Sequence, residues 1–397
     1  MDYFLTETQK EIKELAARIA REKICPVRAE LDEKEEFPWD AIKTLAQSDL
    51  FAISIPEEYG GLGGGVLENC LAVEELGRAC IGVATTYAAS LLGAYPILLM
   101  GSEEQKKKYL PDIATGRKLG AFALTESAAG SNAAGIKTTA VRHGDHYVLN
   151  GSKQWITNGG EAEVYSVIAV TDKTKGARGA SAFIVETGDP GFELGRKEKK
   201  LGIRCSSTRE LIFADCRIPA DRLIAREGVG FIAAMKTFDK SRPGIGALAV
   251  GLAQGALDES VKFARERIQF DQPIIAFQAV QHMLADMATQ VEAARALVYC
   301  AARWLDTGPK DASKISAMAK MFPADVAMKV TVDAVQVLGG HGYMKEYPVE
   351  KMMRDAKILQ IYEGTNQIMR NVIGQALNKE YGRGRQGRQP DAAPVVS

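Results

Sequence analysis

The spacing of apolar residues changes twice along this chain, and this change limits the possible folds more than any other feature. Up to about residue 120, apolar residues recur at helical spacing, as between Phe4 and Ile24. From about 121 to 225, short β-branched or aromatic runs alternate with Gly, Asp and Pro, which is typical of an antiparallel β domain. Beyond Gly230, helical spacing returns in segments at about 243–268, 276–306, 312–340 and 365–379.

Three structural units follow from this pattern, and the predicted fold class is α+β. Long helices of matched length usually pack as an antiparallel bundle. The predicted units are an N-terminal all-helical domain (1–120), a middle antiparallel β domain (121–227) and a C-terminal long four-helix bundle (228–380). Pro243 is predicted to begin the first long helix, and Pro323 to kink or break the third. The Gly-, Arg- and Pro-rich residues 381–397 are predicted to form a disordered tail.

Short motifs predict where individual helices begin. Thr6 with Gln9, and Ser102 with Gln105, fit the capping box, in which a hydroxyl and a Glu or Gln three residues later cap one helix reciprocally. The glycine-rich stretch 59–65 suggests a phosphate loop by composition. It follows Pro-Glu-Glu rather than a strand, so it is predicted to connect helices instead.

Charge, cysteine and histidine content exclude several classes of protein. Fifty Lys and Arg balance fifty Asp and Glu, which argues against a nucleic-acid-binding protein. The six cysteines lie far apart without a CxxC pair, so neither a disulfide framework nor a zinc site is predicted. His143 and His146 flank a predicted hairpin turn rather than a metal site. The polar start and the lack of an apolar run near 20 residues predict a soluble cytoplasmic protein without a membrane span.

One carboxylate stands out from its surroundings. Glu363 lies between an apolar approach and a glycine in the run Ile361-Tyr-Glu-Gly-Thr365. A buried carboxylate loses hydration, so its pKa rises and it can act as a base near neutral pH, while Gly364 would let a ligand approach the backbone. Spacing alone favours the plainer interpretation, an acid near the start of the last helix.

Two further clusters combine glycine with polar side chains. They occupy residues 122–131, where a strand runs into a Gly/Ser/Asn loop, and 336–340, at the end of a helix. Both offer backbone N–H groups to a phosphate or to the edge of a ring. Glycine after a helix is commonly only a C-cap, so neither cluster carries a function by itself.

Taken together, these segments resemble the acyl-CoA dehydrogenase family over about residues 1–380, and the pattern is most similar to its short- to medium-chain branch. The matching segments stand in the family's order across all three predicted units. They are PEEYGG (56–61), LTESAAGSN (124–132), NGSKQWITNGG (150–160), FDKSRP (238–243), RIQFDQP (267–273), QVLGGHGY (336–343) and EYPVEKMMRDAKILQIYEGTNQI (346–368).

The resemblance implies FAD-dependent introduction of a trans-2,3 double bond into an acyl-CoA. A short or medium straight-chain acyl group is expected, with a cyclic, branched or aryl group left open. Glu363 is implied as the base that takes the α-proton while hydride leaves the β-carbon for flavin N5. Its backbone N–H would polarise the thioester carbonyl. Related branches keep the base at the position of Ser241, where a serine cannot do this unaided.

The resemblance also implies binding residues and partners. Substrate contacts are implied for Ser131, Asp239, Arg242 and Gly364. Residues 267–278 and 336–340 would meet FAD across a subunit boundary, so a homotetramer is implied, with electron-transferring flavoprotein as electron acceptor. The implied cofactor contacts are Phe122, Leu124, Thr125, Ser131, Trp155, Ile156, Thr157, Arg267, Gln269, Phe270, Phe277, Gln278, Gln336, Gly339, Gly340, Thr365 and Gln367.

Three residues depart from the family pattern, all in loops expected near the cofactor. Ser127 stands where proline is usual, Asn132 where aspartate is common, and Asp271 in place of a glycine. Asn can still cap a helix and Asp tolerates the left-handed conformation, so the fold is expected to accept these changes. They bear on the detailed contacts at the flavin edge.

Substrate identity and reaction direction stay open at this point. The helix after Gly82 offers Tyr87, Leu91, Leu92 and Tyr95 as candidates for the floor of an acyl pocket. One base and one flavin serve both directions, so an enoyl-CoA reductase is an alternative, as is an oxidase that gives electrons to O₂. A third alternative is a non-catalytic binding protein that has kept the fold.

Overall fold

The computed structural model describes residues 3–309 and 311–383, and its first part is helical. Thr6 Oγ1 accepts from Gln9 N and Gln9 Oε1 from Thr6 N, and Ser102 and Gln105 repeat this pattern, so both predicted capping boxes are confirmed. The first helix continues as a π-helix over Ala20–Ile24. The six helices are α1 (Glu7–Ile19), α2 (Arg28–Lys34), α3 (Trp39–Gln47), α4 (Val66–Ala79), α5 (Ile81–Met100) and α6 (Glu103–Ala114).

The glycine-rich stretch 59–65 leads into α4 and holds no phosphate loop. Val66 N and Leu67 N donate to the Asp306 carboxylate at 2.7 and 3.2 Å, so these first amides of α4 already have an acceptor. A Cβ on Gly65 would lie 2.6 Å from that carboxylate, which leaves no room for a ligand there. The predicted helix connection is confirmed.

Helix α5 is apolar along its whole length, although no candidate membrane span is predicted from the sequence. By length and composition it could cross a membrane, with a mean hydropathy of 1.5. In this structure 72% of its apolar window is buried, and a Cβ on Gly93 would lie 2.4 Å from Ala121 N of the adjoining strand. A helix in the core of a globular protein passes the same length test, and α5 packs as such a helix between the other N-terminal helices and the sheet.

A single sheet of eight strands follows, in the order β6-β7-β3-β2-β4-β5-β8 with β1 beside β4. The predicted antiparallel arrangement is correct for most pairs, including the β2–β3 hairpin, where His143 pairs with His146 beside the turn. It is wrong for β1–β4 and β2–β4, which are parallel because other strands intervene and the chain returns in the same direction. The strands are β1 (Gly120–Ala123), β2 (Thr139–His143), β3 (His146–Thr157), β4 (Val164–Val170), β5 (Ala180–Glu186), β6 (Phe192–Lys197), β7 (Thr208–Pro219) and β8 (Leu223–Ile224).

The C-terminal part is a bundle of long helices. The central pair α7 and α9 packs against α8, α10 and α11, so a short fifth helix joins the four that the sequence predicts. The last helix extends to Arg383, which places residues 381–383 in a helix rather than in a tail, and 384–397 lie outside the described residues. The elements are α7 (Gly230–Glu266), β9 (Ile268–Gln269), β10 (Gln272–Pro273), α8 (Gln278–Asp306), α9 (Ser313–Leu338), α10 (Val349–Leu359) and α11 (Asn366–Arg383).

Pro243 lies inside α7, so the prediction that it begins this helix is wrong. Proline has no N–H, which leaves the carbonyl of Asp239, one turn earlier, without its usual helical donor. Ser316 Oγ of α9 donates to that oxygen at 2.8 Å. The neighbouring helix therefore satisfies the carbonyl that Pro243 frees, and α7 continues through this point.

Pro323, which is predicted to kink or break α9, does not break it. It leaves the carbonyl of Ala319 without a helical donor, and α7 lies directly against this oxygen. A Cβ on Gly246 would lie only 2.1 Å from Ala319 O, so glycine is required for this close approach. The α7–α9 contact covers the affected turn, and α9 runs as one helix over Ser313–Leu338.

Ser316→Ala is expected to lower the melting temperature by about 2–4 °C, because it leaves the partly buried Asp239 carbonyl without a donor. Calorimetry of the purified protein measures this change. Thr44→Ala is the matched control, since Thr44 Oγ1 also donates to a helix carbonyl but in an exposed position. Equal shifts in the two variants would show that the Ser316 hydroxyl has no special role at Pro243.

Candidate active site

An apolar cleft with a volume of about 690 Å³, its open mouth included, lies where α5, the sheet and α7 meet. The Phe122 and Phe238 rings meet edge to face at one wall, with centroids 5.5 Å apart. Small side chains of α5 leave the space open, and a carboxylate lies at its end. The lining residues are Thr85, Ala88, Ala89, Leu92, Phe122, Leu124, Thr125, Trp155, Ile156, Thr157, Phe238, Ile245, Leu248, Tyr362 and Glu363.

A bulge in β3 turns Trp155 towards this cleft. The register with β7 shifts between Lys153 and Ile156, and Trp155 takes φ +57°, a conformation that few non-glycine residues adopt. The Trp155 side chain is 55% exposed. Gln154 N donates to Thr125 O at 2.8 Å, which ties the bulge to the loop after β1. An aromatic face and the loop backbone therefore border the mouth together.

The loop after β1 is anchored by a buried ion pair. Lys153 Nζ donates to Leu124 O at 2.9 Å and to Glu126 Oε1 at 2.8 Å, and Glu126 accepts from the backbone of Thr138. Burial lowers the pKa of Lys153 to about 8, and its partner carboxylate opposes that change. Because the pair is enclosed, it fixes residues 124–126 against the sheet.

Glu363 lies in the short connection between α10 and α11. Glu363 has φ +53° and Gly364 has φ +97°, so the turn is left-handed at both positions. A side chain at position 364 would be strained by this φ, whereas the nearest atom to an added Cβ, Met369 Cε at 2.5 Å, ends a flexible side chain that can move. Among the described residues, none accepts a hydrogen bond from Glu363 N. The turn therefore offers both a carboxylate and an unpaired amide.

The charge state of Glu363 depends on three neighbours. Burial raises the pKa of its carboxyl group, while the Ser241 hydroxyl and the positive charges of Arg242 and Lys320 oppose this rise. Ser241 Oγ donates to Glu363 Oε2 at 2.6 Å, and Arg242 Nε donates to Glu363 O at 3.2 Å. A carboxylate with a raised pKa at an apolar cleft can exchange a proton near neutral pH.

The predicted substrate residues divide into two groups. Asp239 and Arg242 lie on α7 beside Glu363, with Asp239 Oδ1 3.4 Å from Arg242 Nη1. Burial raises the pKa of Asp239, and the Ser313 hydroxyl and Arg242 oppose that rise. Ser131 is exposed in the loop after β1 and does not line the cleft.

The structure brings seven of the predicted residues into one cleft and leaves another set outside it. Phe122, Leu124, Thr125, Trp155, Ile156, Thr157 and Glu363 line the cleft. Thr365 and Gln367 border a second hollow with Gln360, Asn366 and Arg370. The remaining cofactor candidates lie along the β9–β10 hairpin, the start of α8 and the end of α9, and nearly all are exposed; they are Arg267, Gln269, Phe270, Phe277, Gln278, Gln336, Gly339 and Gly340.

Asp271 and its neighbour Phe270 form the two-residue turn of the β9–β10 hairpin. Their φ angles are +60° and +50°, so both residues are left-handed, as a tight hairpin turn requires. Asp271 thus holds the conformation for which glycine is usual. Phe270 projects with its side chain 87% exposed.

Most of the α5 residues that line the cleft were not predicted from the sequence. Thr85, Ala88 and Ala89 share one face of α5 with Leu92, but α5 is apolar on every side, so periodicity could not show which face is open. Of the four proposed floor residues only Leu92 lines the cleft, and Leu91 is buried elsewhere. Tyr87 donates to Leu50 O at 2.8 Å and Tyr95 lies beneath Lys240, and neither lines the cleft.

The N-terminal helices, the sheet and the long-helix bundle surround an apolar cleft that ends at the Glu363 carboxylate. They define an α+β protein with a candidate acid–base site. The acyl-CoA dehydrogenase family models match almost all of the chain. The N-terminal domain model matches residues 6–117, the middle domain model 121–216 and the C-terminal domain model 228–378. The chain belongs to the acyl-CoA dehydrogenase family, whose members are oxidoreductases acting on CH–CH bonds.

Curated relatives match the chain over nearly its whole length. The probable acyl-CoA dehydrogenase FadE25 of Mycobacterium tuberculosis is 50% identical over 373 residues, which cover 94% of this chain and 96% of the relative. The acryloyl-CoA reductase (NADH) of Anaerotignum propionicum is 48% identical over 381 residues, 96% of each chain. These two names describe opposite directions of one kind of reaction.

Solved structures share the fold at high identity. A chain in a study of the electron transferring flavoprotein of Acidaminococcus fermentans is 51% identical with a TM-score of 0.93, covering 95% of this chain and 99% of that one. Butyryl-CoA dehydrogenase from Megasphaera elsdenii is 46% identical with a TM-score of 0.93, covering 95% and 100%. A neighbour described as an FAD-dependent dehydrogenase is 35% identical, with a TM-score of 0.88 and coverage of 95% and 100%.

Proposed function

We propose that this protein is an FAD-dependent dehydrogenase that removes the α-proton and the β-hydride from a short- or medium-chain acyl-CoA. The observation that carries the proposal is Glu363, a carboxylate with a raised pKa at the end of an apolar cleft, beside an unpaired amide. The family relation supports the reaction class, and the structure supports the choice of base.

Residues at the mouth of the cleft fit a flavin ring. The exposed Trp155 ring, the loop at Leu124–Thr125 and the strand end at Ile156–Thr157 line the cleft with both apolar and polar groups. We propose that these residues hold the ring system, with Phe122 behind it. FAD bound there supplies the acceptor for the β-hydride.

The chain's own groups account for the proton transfer. In its ionised form, Glu363 takes the α-proton of the thioester on a carboxylate oxygen, and Ser241 stays hydrogen-bonded to Oε2. As negative charge develops on the thioester oxygen, the free N–H of Glu363 is placed to donate to it. Apolar walls exclude water, so the amide and the Arg242 charge act in a low dielectric.

The inner end of the cleft suits a short, straight acyl chain. Ala88 and Ala89 leave the space, whereas Leu92, Ile245 and Leu248 close it with apolar side chains. Filling such a site with methylene groups gains about 0.8 kcal/mol each, while a cationic or anionic acyl group would lose hydration without a partner among these five residues. The similarity to butyryl-CoA dehydrogenase supports the same substrate range.

Assembly and electron transfer extend this proposal. The exposed residues Arg267, Gln269, Phe270, Gln336 and Gly339 offer a polar and aromatic surface that a second copy of the chain would cover, in line with FAD sites shared within a homotetramer. The remaining cofactor candidates, Thr365 and Gln367, border a separate hollow. The similarity to a chain studied with electron transferring flavoprotein supports that acceptor, and we propose a cytoplasmic location.

Anaerobic absorption spectroscopy with a panel of acyl-CoAs tests the proposed function. We expect the purified protein to show oxidised-flavin bands that bleach on addition of butyryl-CoA or hexanoyl-CoA, because the thioester reduces the flavin when its α-proton can leave. Protein that binds no FAD after reconstitution would contradict the catalytic proposal and favour a non-catalytic binding protein.

A reductase is the second candidate, and the 48% identity to acryloyl-CoA reductase favours it. The same base and cofactor serve both directions, because the proton that Glu363 accepts in one direction is returned in the other. A flavin that stays oxidised with every saturated thioester, yet is reoxidised by crotonyl-CoA after chemical reduction, would establish the reductase. Rapid anaerobic bleaching by butyryl-CoA would favour the dehydrogenase.

A further inference from the structure

Three lysines in the described part of the chain have buried side chains, and Lys320 differs from the other two. Lys153 pairs with Glu126, and Lys351 pairs with Asp355. Lys320 is fully buried on α9 and forms no salt bridge with a described residue. An ammonium group without a paired carboxylate is costly to bury, so its presence here needs a reason other than stability.

The two acceptors of Lys320 belong to the turn that carries Glu363. Lys320 Nζ donates to Gly364 O at 2.7 Å and to Asn366 Oδ1 at 2.9 Å. Asn366 Nδ2 in turn donates to Asp325 Oδ1 at 2.7 Å and to Met321 O at 3.1 Å. Residues 320–325 of α9 thus bind both the oxygen and the nitrogen of the Asn366 amide, and also the Gly364 carbonyl next to Glu363.

The charge of Lys320 opposes the local helix dipole. Asn366 is the first residue of α11, and the N-terminus of a helix carries a partial positive charge that disfavours a cation. Burial, and more weakly the Arg242 charge, lower the pKa of Lys320 to about 7, while Glu363 and Asp325 oppose this change. Arg370 faces the same group through its ion pair with Asp325. Among these charges, the Glu363 carboxylate is the one that a positive charge on Lys320 would stabilise at the candidate site.

We propose that Lys320 is a positioning residue for Glu363: its amino group fixes the turn at residues 363–366 and, while it is protonated, supplies a positive charge that favours the ionised carboxylate. This inference rests on the proposed function, because it assumes that Glu363 is the base. Lys320 does not line the cleft and acts through the turn. Ser241 and Arg242 act on the same carboxylate from α7, on the other side of the turn.

The pH dependence of the rate distinguishes this role from a structural one. In Lys320→Met the carboxylate loses a neighbouring positive charge, so the pKa of Glu363 rises further and the acid limb of kcat/KM moves to higher pH. We expect a shift of about one pH unit, with a loss that approaches about tenfold on the acid limb and falls below about twofold on the alkaline plateau, and with the change in kcat rather than KM. The assay uses the straight-chain acyl-CoA that bleaches the flavin fastest.

An infrared pH titration of the Glu363 carboxyl band gives a readout that needs no turnover. The band is assigned by its loss in Glu363→Gln, and its midpoint should rise by about one unit in Lys320→Met. Lys320→Arg keeps the charge and should restore most of the wild-type profile. Lys320→Gln removes the charge but keeps a donor, so it gives the same test if the Met variant does not fold.

Lys329→Met is the matched control, since Lys329 lies on the exposed face of α9 and pairs with Asp333. Its pH profile should coincide with that of the wild type. An unchanged profile and midpoint in Lys320→Met, or an equal loss at every pH, would overturn the inference. If instead the Glu363→Gln variant turned over substrate at the normal rate, the proposed function would fail. If Glu363→Gln were inactive and Lys320→Met unaffected, only the role proposed for Lys320 would be overturned.

Discussion

Glu363→Gln is expected to lower kcat/KM for acyl-CoA oxidation by about 10³–10⁴-fold, while FAD stays bound. Glutamine keeps the shape of the side chain and can still accept from Ser241 Oγ, but it cannot take up a proton at neutral pH. Among the residues that line the cleft, Glu363 is the only carboxylate, so no neighbour can replace it as base. The measurement is the rate of anaerobic flavin bleaching by butyryl-CoA, with the flavin content determined on the same sample.

The control for this experiment is Glu193→Gln, an exposed glutamate on β6 far from the cleft. It should bleach at the wild-type rate. The melting temperature of Glu363→Gln should not fall, because the variant removes a carboxylate that pays a desolvation cost. Wild-type bleaching by Glu363→Gln would remove the basis for naming it the base.

Moving the base to α7 should restore activity. Ser241 Oγ lies 2.6 Å from Glu363 Oε2, so a glutamate at position 241 could bring its carboxylate close to the same point once residue 363 is glycine. The charges of Arg242 and Lys320 would remain to favour the ionised form. We expect Ser241→Glu combined with Glu363→Gly to bleach about 10²-fold faster than Glu363→Gly alone, with a residual deficit from imperfect alignment.

Ser241→Gln combined with Glu363→Gly is the matched control, because it has the same size but cannot take a proton. It should remain as slow as Glu363→Gly alone. If the Glu and Gln versions bleached equally, the recovery would come from packing and not from a relocated base. Flavin content and melting temperature, measured on both double variants, show whether the fold is retained.

The Ser241–Glu363 pair shows where sequence reasoning reached its limit at the site. The sequence points to both residues, with Glu363 predicted as the base and Ser241 as the position used by related branches. Nothing local indicates that their side chains share a hydrogen bond, since they are separated by 122 positions along the chain. The same holds for Lys320, which looks like an ordinary helix residue until α9 is packed against the turn.

The fold was more accessible, because its signals are local. The capping boxes at Thr6 and Ser102 lie within four residues of sequence and were correct. Pro243 does not begin α7 and Pro323 does not break α9, for reasons that lie outside the local sequence. Ser316 on α9 donates to the carbonyl that Pro243 frees, and α7 packs at Gly246 against the carbonyl that Pro323 frees.

The sequence by itself determined the order of helices, sheet and bundle and, through its family motifs, the reaction class, and it singled out Glu363 as the candidate base. Helical and strand periodicity act over one or two turns, so the chain carries that information directly. Only the tertiary structure decided which face of α5 opens to the cleft, that β1 and β4 run parallel, and which groups set the charge of Glu363. Those outcomes depend on the burial and packing of residues far apart in sequence, which no local pattern contains.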